Sequence, residues 1–451
     1  MKNAISLIDG RNAPDVKELG KYFSEEALIY HRTFVEVKWL LFMSKKDNFP
    51  LRKFTDNEIV FLNSLLDNFS ESDSDRVKEI EKTTNHDVKS VEIFLREKLS
   101  ETSLKDSIEY IHFACTSEDI NNLSYAIMIK KATEEVMMPT MIEISDILKK
   151  QAQDWKSVSM LSRTHGQPAT PGTVGKELLV FAYRLDRQIA RLENQEFLGK
   201  FSGATGNFAV HKLAVPEIEW IDFSREFIEE FDLKQNFLTT QIESHDFVAE
   251  LSNTMTLANT IMIDLARDVW TMISFNFFKQ KVVKGEVGSS TMPHKVNPID
   301  FENAEGNFGL ANSLFTHFSQ KLPISRLQRD LSDSTVFRSV GTAFAHMLLS
   351  LKKLKKGLLK LELNEKVVKQ DLANNPEVLA EAVQTIMRKY GVENPYDKLK
   401  SLTRGKRMSL EDFYAFVDTL EIPNNEKVKL KDLTPDKYIG LSEELVDRYL
   451  G

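Results

Sequence analysis

The sequence predicts an almost entirely α-helical fold with a central bundle of long helices. Of the 451 residues only 18 are Gly and 13 are Pro, and neither occurs between Glu217 and Lys284. In three segments apolar side chains recur every three or four residues, the spacing of the buried face of an amphipathic helix. No segment alternates apolar and polar residues over a sustained length, and no Asn-Gly or Asp-Gly pair joins two such segments into a hairpin.

The three apolar stripes define the predicted bundle. The first begins at "SEDINNLSYAIMIKK" and meets Pro139, where we expect a kink or a break. The second runs from Val174 to Leu192 and the third from Phe247 to Met272. Helices this long carry more apolar surface than one bundle covers, so we expect copies of the chain to associate. A monomer with bent helices is the alternative.

Both ends of the chain differ from the bundle. They hold shorter helical patterns separated by charged or polar turns such as "SESDSDR", "ENPYDK" and "IPNNEK". We therefore predict an N-terminal helical domain over residues 1–115, the long-helix bundle over 116–360 and a C-terminal helical domain over 361–451.

Composition excludes several classes of function. The net charge is −8 and basic residues are interspersed with acids, so a nucleic acid is not expected as the main partner. No apolar run approaches the ~20 residues needed to cross a bilayer, and we expect a cytoplasmic protein without membrane contact. The single cysteine, Cys115, excludes an intramolecular disulfide and a thiolate zinc site. The HExxH, calcium-loop, nucleotide-loop and GxSxG motifs are absent from the sequence.

Two polar clusters flank the first two stripes. In "CTSEDINN", Thr116 or Ser117 suits a helix N-cap, and capping alone explains this cluster. "SRTHGQPATPGT" predicts a loop between two bundle helices, and its His165 is a candidate acid or base because histidine titrates near pH 6.5. A loop histidine with no role in chemistry is the alternative.

The third cluster is "GSSTMPHKVNP", residues 288–298, which we expect at the end of the third long helix. Glycines free the backbone at its start and prolines stiffen it further on, a layout typical of a lid. Four of its side chains could do chemistry: Ser289, Ser290, His294 and Lys295. Spacing does not choose among them, and general chemistry favours His294 because histidine is the commonest general base.

These three clusters, in this order and each followed by a long helix, resemble the signature regions of the fumarase/aspartase superfamily, whose members eliminate fumarate from succinyl compounds. "NHDVKSVE", "TTQIESHD" and "RDLSDSTVFR" are further similar to stretches of the adenylosuccinate lyases of the bacterial long form. The resemblance covers nearly the whole chain. It implies two reactions of purine nucleotide biosynthesis: cleavage of adenylosuccinate to AMP and fumarate, and of succinylaminoimidazole carboxamide ribotide to the aminoimidazole carboxamide ribotide and fumarate. It also implies a homotetramer whose active sites draw residues from three subunits, and no metal or redox cofactor.

The same resemblance implies the roles of individual residues. His165 is expected to be the general acid and Ser289 the base, while Glu302 orients the histidine. Serine is a poor base unless its alkoxide is stabilised, and we expect Lys295 and a nearby helix N-terminus to do this. His294 then has a supporting role.

The implied substrate-binding residues are Arg11, Asn85, His86, Asp87, Thr116, Ser117, Gln241, Ser290, Lys295, Val296, Asn297, Asn303, Arg329, Ser334 and Arg338. Those expected at the phosphate are Arg11, Arg329, Ser334 and Arg338, because guanidinium and hydroxyl groups suit a phosphate dianion. Those expected at the succinyl carboxylates are Thr116, Ser117, Gln241, Ser290, Lys295 and Asn297, with His86 near the leaving group. Asn12 follows Arg11 where the family usually has tyrosine, which leaves the nucleotide contact there open.

Two alternatives are considered. One is another lyase of the superfamily, such as an argininosuccinate lyase or an aspartase. The other is a non-enzymatic bundle that kept the fold, as lens crystallins did. The presence of His165, Ser289, Lys295 and Glu302 disfavours the second.

Overall fold

Helices dominate the part of the chain that the computed structural model describes, residues 3–281, 292, 294–403 and 408–451. The α-helices are α1 (Ala13–Val16), α2 (Gly20–Phe23), α3 (Glu25–Lys45), α4 (Asp56–Asp67), α5 (Glu71–Thr84), α6 (Asp87–Ser100), α7 (Ser117–Ala132), α8 (Met138–Asp154), α9 (Val174–Glu193), α10 (Ala209–Ala214), α11 (Trp220–Glu229), α12 (Asp246–Ser274), α13 (Ile299–Lys321), α14 (Ser332–Phe337), α15 (Val340–Leu359), α16 (Glu365–Ala373), α17 (Ala380–Lys389), α18 (Pro395–Thr403), α19 (Leu410–Thr419), α20 (Asn424–Lys431) and α21 (Ser442–Leu450). Short 3₁₀ segments lie at Lys17–Leu19, Ser103–Tyr110 and Pro376–Leu379.

Six short strands form three two-stranded sheets in these residues. The strands are β1 (Ser159–Thr164), β2 (Gln167–Thr173), β3 (Leu198–Gly199), β4 (Lys234–Gln235), β5 (Phe278–Gln280) and β6 (Leu361–Leu363). β1 pairs antiparallel with β2, β3 pairs parallel with β4, and β5 pairs antiparallel with β6. The prediction of a nearly all-helical fold is confirmed. No helix in the described ranges combines the length and apolar character that spanning a bilayer requires.

The second and third apolar stripes lie on the long helices α9 and α12. α9 begins at Val174 as predicted. α12, however, ends at Ser274, well before the glycines of the third polar cluster, and the strand β5 follows it. The prediction that the long helix leads directly into that cluster is wrong. The apolar stripe itself ends at Met272, and the residues after it follow a different pattern.

The predicted kink at Pro139 is a π-helical turn at Thr133–Met137, between α7 and α8. The Met138 N–H donates to the Thr133 carbonyl, five residues back. Proline has no N–H and crowds the preceding turn, so one widened turn accommodates it without ending the helix. The side chain of Thr133 in turn donates to the Ile129 carbonyl at 2.8 Å.

The chain divides into two compact units. The first comprises Met1–Thr140, Gln188–Thr260 and Gly306–Ser350, and the second comprises Met141–Arg187, Ile261–Glu305 and Leu351–Gly451. The division into three domains, drawn from helix length along the chain, stays a prediction.

Each unit has its own apolar core. In the first, Trp39 of α3 contacts the rings of Phe201 and Phe227 at 4.4 and 4.9 Å between centroids, and its indole N–H donates to the Phe113 carbonyl. In the second, helices α17, α19 and α20 bury a cluster that includes Val383, Phe413, Val417 and Leu430. Tilted contacts between aromatic rings bury a large apolar area, and the indole N–H keeps a hydrogen-bond partner. Together these contacts fix the position of α3 in the first unit.

A fully buried ion pair holds the start of α7 in the first unit. Lys200 Nζ lies 2.7 Å from Asp119 Oδ1, neither side chain is exposed, and Nζ also donates to the Gly203 carbonyl. The Asp119 carboxylate accepts further hydrogen bonds from the backbone N–H groups of Thr116 and Ser202. A buried carboxylate needs such a set of donors, so the first turn of α7 and the segment after β3 are fixed together.

Replacing Lys200 by methionine should destabilise the protein by about 3–5 kcal/mol, because Asp119 would stay buried without its cation. Lys234→Met is the matched control, since Lys234 pairs with Glu196 at 2.6 Å while both side chains remain more than half exposed. That variant should lose less than about 1 kcal/mol. Urea unfolding followed by circular dichroism measures both, and equal small losses would contradict the importance of the buried pair.

Candidate active site

His165 lies at the tip of a β-hairpin. β1 and β2 pair with Thr164 opposite Gln167, which leaves His165 and Gly166 as a two-residue turn. Both turn residues have positive φ, 54° and 75°, the signature of a type I′ turn. The predicted loop over residues 162–173 is therefore wrong, because the pair His-Gly makes the turn that Asn-Gly or Asp-Gly more often makes. The hairpin presents His165 on the exposed surface of the second unit.

The hairpin is anchored two residues before its tip. Arg163 Nη2 donates to both carboxylate oxygens of Asp371 at 2.9 Å, and its guanidinium lies 5.0 Å from the ring centre of Phe275. A guanidinium that pairs with a carboxylate and stacks on a ring loses most of its freedom. The strand that leads to His165 is thus held by this pair as well as by its hydrogen bonds to β2.

The described residues of the third cluster lie directly before α13. Ser289 and Ser290, with the rest of 282–291 and Pro293, lie outside the described residues. His294, Lys295 and Val296 are exposed, and Asn297 is half-buried. They precede α13, whose first turn begins with the N–H groups of Phe301 and Glu302 donating to the Pro298 carbonyl. Lys295 is therefore four residues before the positive end of a 23-residue helix.

Glu302 and Asn303 are exposed in the first turn of α13. Glu302 Oε1 accepts a hydrogen bond from the indole N–H of Trp270 on α12 at 3.1 Å. Asp300, in the same turn, is buried and pairs with Lys360 at 3.0 Å. Lys295, Asn297, Glu302 and Asn303 thus lie on one short segment, the nine residues that lead into and begin α13.

A second group of predicted residues lies at the start of α6 in the first unit. Asn85 ends α5 in a left-handed conformation, φ 50°, and the ring of His86 caps α6 by accepting the Lys89 N–H. Asp87 Oδ2 accepts from Arg32 at 2.7 Å and from Arg338 at 3.4 Å. Burial raises the pKa of Asp87, but the two arginines and the Val88 N–H outweigh it and hold the pKa below its usual value. Asp87 is therefore a carboxylate at neutral pH.

The start of α7 links this group to Arg329. Thr116 is the N-cap and Ser117 the first residue of α7, which confirms the capping prediction. Asn121, one turn further along, accepts from Arg32 Nε and donates to Glu118 Oε1, both at 2.8 Å.

Arg329 is the centre of the next contacts. Its Nη2 lies 2.9 Å from Glu118 Oε1 and donates to the Ser334 hydroxyl at 3.0 Å. Its Nη1 donates to Gln241 Oε1 at 3.5 Å, and Gln241 in turn donates to the Ala204 carbonyl. The structure therefore brings Arg329, Ser334 and Gln241 together, whereas Arg338 joins Asp87.

Arg11 is exposed in the turn before α1. Its predicted place at the phosphate stays a prediction.

A cavity of about 270 Å³ lies beside Asp87 in the first unit. Its polar lining includes Arg32 and Arg338, and its apolar lining includes Phe23, Tyr125 and Phe337. A concave surface with aromatic walls and a few charged groups is the common form of a small-molecule site. Arg32 and Glu118, which connect the predicted ligands, were not found from sequence because neither belongs to a motif and their pairing depends on the fold.

His245 is buried between two carboxylates of the first unit. Its Nδ1 lies 3.7 Å from Glu243 Oε2 and its Nε2 lies 3.6 Å from Asp333 Oδ2. Burial lowers the pKa of His245, but the two carboxylates outweigh it and raise the pKa to about 9. The same contacts hold the pKa values of Glu243 and Asp333 below their usual range, against burial. His245 is therefore an imidazolium at neutral pH.

Two family models and several named proteins match this chain. A family model described as "Lyase" matches residues 18–310, and one described as "Adenylosuccinate lyase C-terminal" matches residues 325–439. A protein of Haemophilus influenzae named adenylosuccinate lyase is 50% identical over 447 residues, 99% of this chain and 98% of its own. An Escherichia coli protein of the same name is 49% identical over 446 residues, 98% of each chain.

Among solved structures, a fumarate lyase from a Mesorhizobium species superposes with a TM-score of 0.77. It covers 96% of this chain and 97% of its own at 19% identity, which shows a shared fold. The fumarase/aspartase-like architecture predicted from the three signature regions is thereby confirmed.

The stability contributed by His245 should depend on pH. Its folded pKa of about 9 exceeds the usual 6.5, so protonation stabilises the folded chain fully below pH 6.5 and the effect is lost as pH rises through 9. The stability difference between the parent and His245→Gln should shrink by roughly 3 kcal/mol over this range. Urea unfolding at pH 6, 8 and 10 measures it.

His31→Gln is the matched control, since His31 is also buried but its pKa is lowered to about 4 by burial. Its stability difference from the parent should not change between pH 8 and 10. A difference for His245→Gln that is equally constant with pH would contradict the charged state.

Proposed function

The chain belongs to the adenylosuccinate lyase family, and we propose that it eliminates fumarate from adenylosuccinate, giving AMP, and from succinylaminoimidazole carboxamide ribotide, giving the aminoimidazole carboxamide ribotide. The enzyme is a carbon–nitrogen lyase of purine nucleotide biosynthesis. The observation that carries the proposal is the identity of about half of all residues, over nearly the full length, to proteins named for this activity. The arrangement of arginine, hydroxyl and amide groups around Arg329 supports it, because the substrates carry phosphate and carboxylate groups.

An anti β-elimination needs a base for the Cβ proton, an acid for the departing nitrogen and donors for the carboxylate on which charge accumulates. We assign the acid to His165 and the base to Ser289. The exposed tip of an anchored hairpin is a suitable place for an acid, because the imidazole there is accessible to a substrate. The acid, the base and the donors are all groups of the protein itself, so this route uses no metal or redox cofactor.

Activation of Ser289 is assigned to the segment before α13. Lys295 and the positive end of the helix lower the free energy of a nearby alkoxide. Glu302 is assigned the orientation of His165, a role for which an exposed carboxylate held by the Trp270 indole is suited. His294, although exposed beside Lys295, is not assigned a proton transfer.

Binding of the substrate is assigned to the remaining predicted residues. The phosphate ligands are Arg11, Arg329, Ser334 and Arg338. The carboxylate ligands are Thr116, Ser117, Gln241, Ser290, Lys295 and Asn297, and the other contacts are Asn85, His86, Asp87, Val296 and Asn303. Arg338 supports this assignment, because one carboxylate holds its guanidinium while most of the side chain stays exposed and keeps donors for a phosphate. Thr116 and Ser117 lie at the positive N-terminal end of α7, which favours a bound anion.

We further propose a homotetramer with active sites shared between subunits, located in the cytoplasm. The long helices support the assembly, since they leave large apolar side chains exposed: Val180 and Tyr183 on α9, Leu257 and Trp270 on α12, and Leu310 on α13. Apolar groups repeated along helix faces favour burial against another copy. The cytoplasm is where phosphorylated substrates, which do not cross a bilayer, are retained.

The purified protein should convert adenylosuccinate to AMP and fumarate without added metal. The change in purine absorbance in the ultraviolet measures the rate, and fumarate release confirms the stoichiometry. Argininosuccinate and aspartate are the comparison substrates. Turnover of argininosuccinate or aspartate, with none of adenylosuccinate or the carboxamide substrate, would assign the chain to another lyase of the superfamily.

Ser289→Ala and His165→Ala should each lower kcat by roughly 10²-fold or more, because each removes a proton-transfer group. His294→Ala is the matched control and should lose less, since it removes a neighbouring histidine without that role. Steady-state kinetics with adenylosuccinate measures all three. A large loss at His294 with activity retained at Ser289 would instead make the histidine the base.

A further inference from the structure

His245 has no part in the proposed chemistry, yet it is one of the most completely enclosed charges of the first unit. Its side chain is 3% exposed, and the ring of Phe337 covers it edge-on at 4.7 Å between centroids. Its Nε2 has no hydrogen-bond partner within the described residues, although Asp333 Oδ2 lies 3.6 Å away. An imidazolium in such a place needs a function or a structural reason.

Asp333 connects His245 to the proposed phosphate ligands. One oxygen of this carboxylate faces His245. The other accepts the Ser334 N–H at 2.7 Å and lies 3.8 Å from Arg329 Nη2. Arg329 and Ser334 therefore meet one carboxylate whose second oxygen faces the histidine.

The charges around His245 nearly balance. The carboxylates that face it are Glu243, Asp333 and, at longer range, Glu118. The cations are His245 itself and Arg329, which pairs with Glu118 and Asp333. The cluster then carries a net charge of −1 with His245 protonated and −2 with it neutral. A phosphate dianion beside Arg329 would be repelled more strongly in the second case.

The cluster is not a ligand site of its own. The space beside His245 measures about 10 Å³, which holds at most one water molecule. Any effect of His245 on a substrate must therefore pass through its neighbours.

We propose that His245 is a positioning residue for substrate phosphate, acting through Asp333 to keep Arg329 and Ser334 available as ligands. This inference rests on the proposed function. His245 faces the Asp333 oxygen that does not bond to Ser334 and offsets the charge of the carboxylate, so that Arg329 is not drawn further towards Asp333. Its contribution should appear in substrate affinity and not in the rate of bond breaking, because it touches no reacting atom.

The test compares KM and kcat for adenylosuccinate in the parent, His245→Gln and the control His31→Gln. We expect KM in His245→Gln to rise about tenfold or more, with kcat within roughly threefold of the parent. The inhibition constant of AMP should rise in parallel. His31→Gln should change neither constant, since His31 is buried and its Nδ1 contacts the Ala27 carbonyl of its own helix.

A charge-restoring variant separates an electrostatic effect from a packing defect. In the double variant Glu243→Gln with His245→Gln, one negative and one positive charge are removed together, so the net charge returns to −1. We expect KM in the double variant to recover towards the parent value. A KM that stays raised would overturn the proposal in favour of a purely structural role, and so would a fall in kcat with KM unchanged in His245→Gln.

The parent enzyme gives a readout that does not depend on a variant folding. Its KM should rise as pH passes through 9, where His245 loses its proton among Glu243, Asp333, Glu118 and Arg329. The rise should be absent in His245→Gln, and an identical rise in both would overturn the proposal. Absence of turnover by the parent with either succinyl substrate would instead overturn the proposed function, which keeps the two failures distinct.

Discussion

The buried pair between Asp119 and Lys200 is the constraint on which the substrate-binding side of the first unit depends. A carboxylate without contact to water is stable only with a full set of donors, and here an ammonium and several backbone N–H groups supply it. The pair therefore fixes the first turn of α7 in position and rotation. Glu118 and Asn121 extend from that same turn towards Arg329 and Arg32, so their placement follows from it.

From this turn a continuous chain of alternating groups extends in both directions. Its members, in order, are Arg338, Asp87, Arg32, Asn121, Glu118 and Arg329. Each terminal arginine contacts a carboxylate that is itself held, so its guanidinium has a defined direction before any substrate arrives. Such preorganisation lowers the entropy lost on binding, because fewer rotamers remain to be fixed. The arrangement also explains why acidic residues are abundant around a site proposed for an anion.

The sequence predicted the features that depend on local spacing. The apolar stripe that begins at Val174 predicted the first residue of α9. Pro139 predicted a distortion, which is the π-helical turn between α7 and α8. The hairpin at His165 was missed, because its turn uses a histidine where the familiar signal is Asn or Asp. The roles of Arg32, Glu118 and His245 could not be found from spacing. Each depends on a partner that is far away in sequence, namely Asp87, Arg329 and Asp333 in that order. The roles of Ser289 and His165 came from resemblance to a family, because general chemistry alone favoured His294.

The type I′ turn at His165 limits which sequence changes the hairpin can accept during evolution. A two-residue turn sets the register of the strand ends that it joins, so inserting or deleting one residue there would shift the pairing of β1 with β2. Both turn positions also require positive φ, which β-branched residues rarely adopt. The hairpin can therefore vary in the residues along its strands but not in its length. In a lineage of such chains, an altered turn length would indicate that the histidine no longer serves the same purpose.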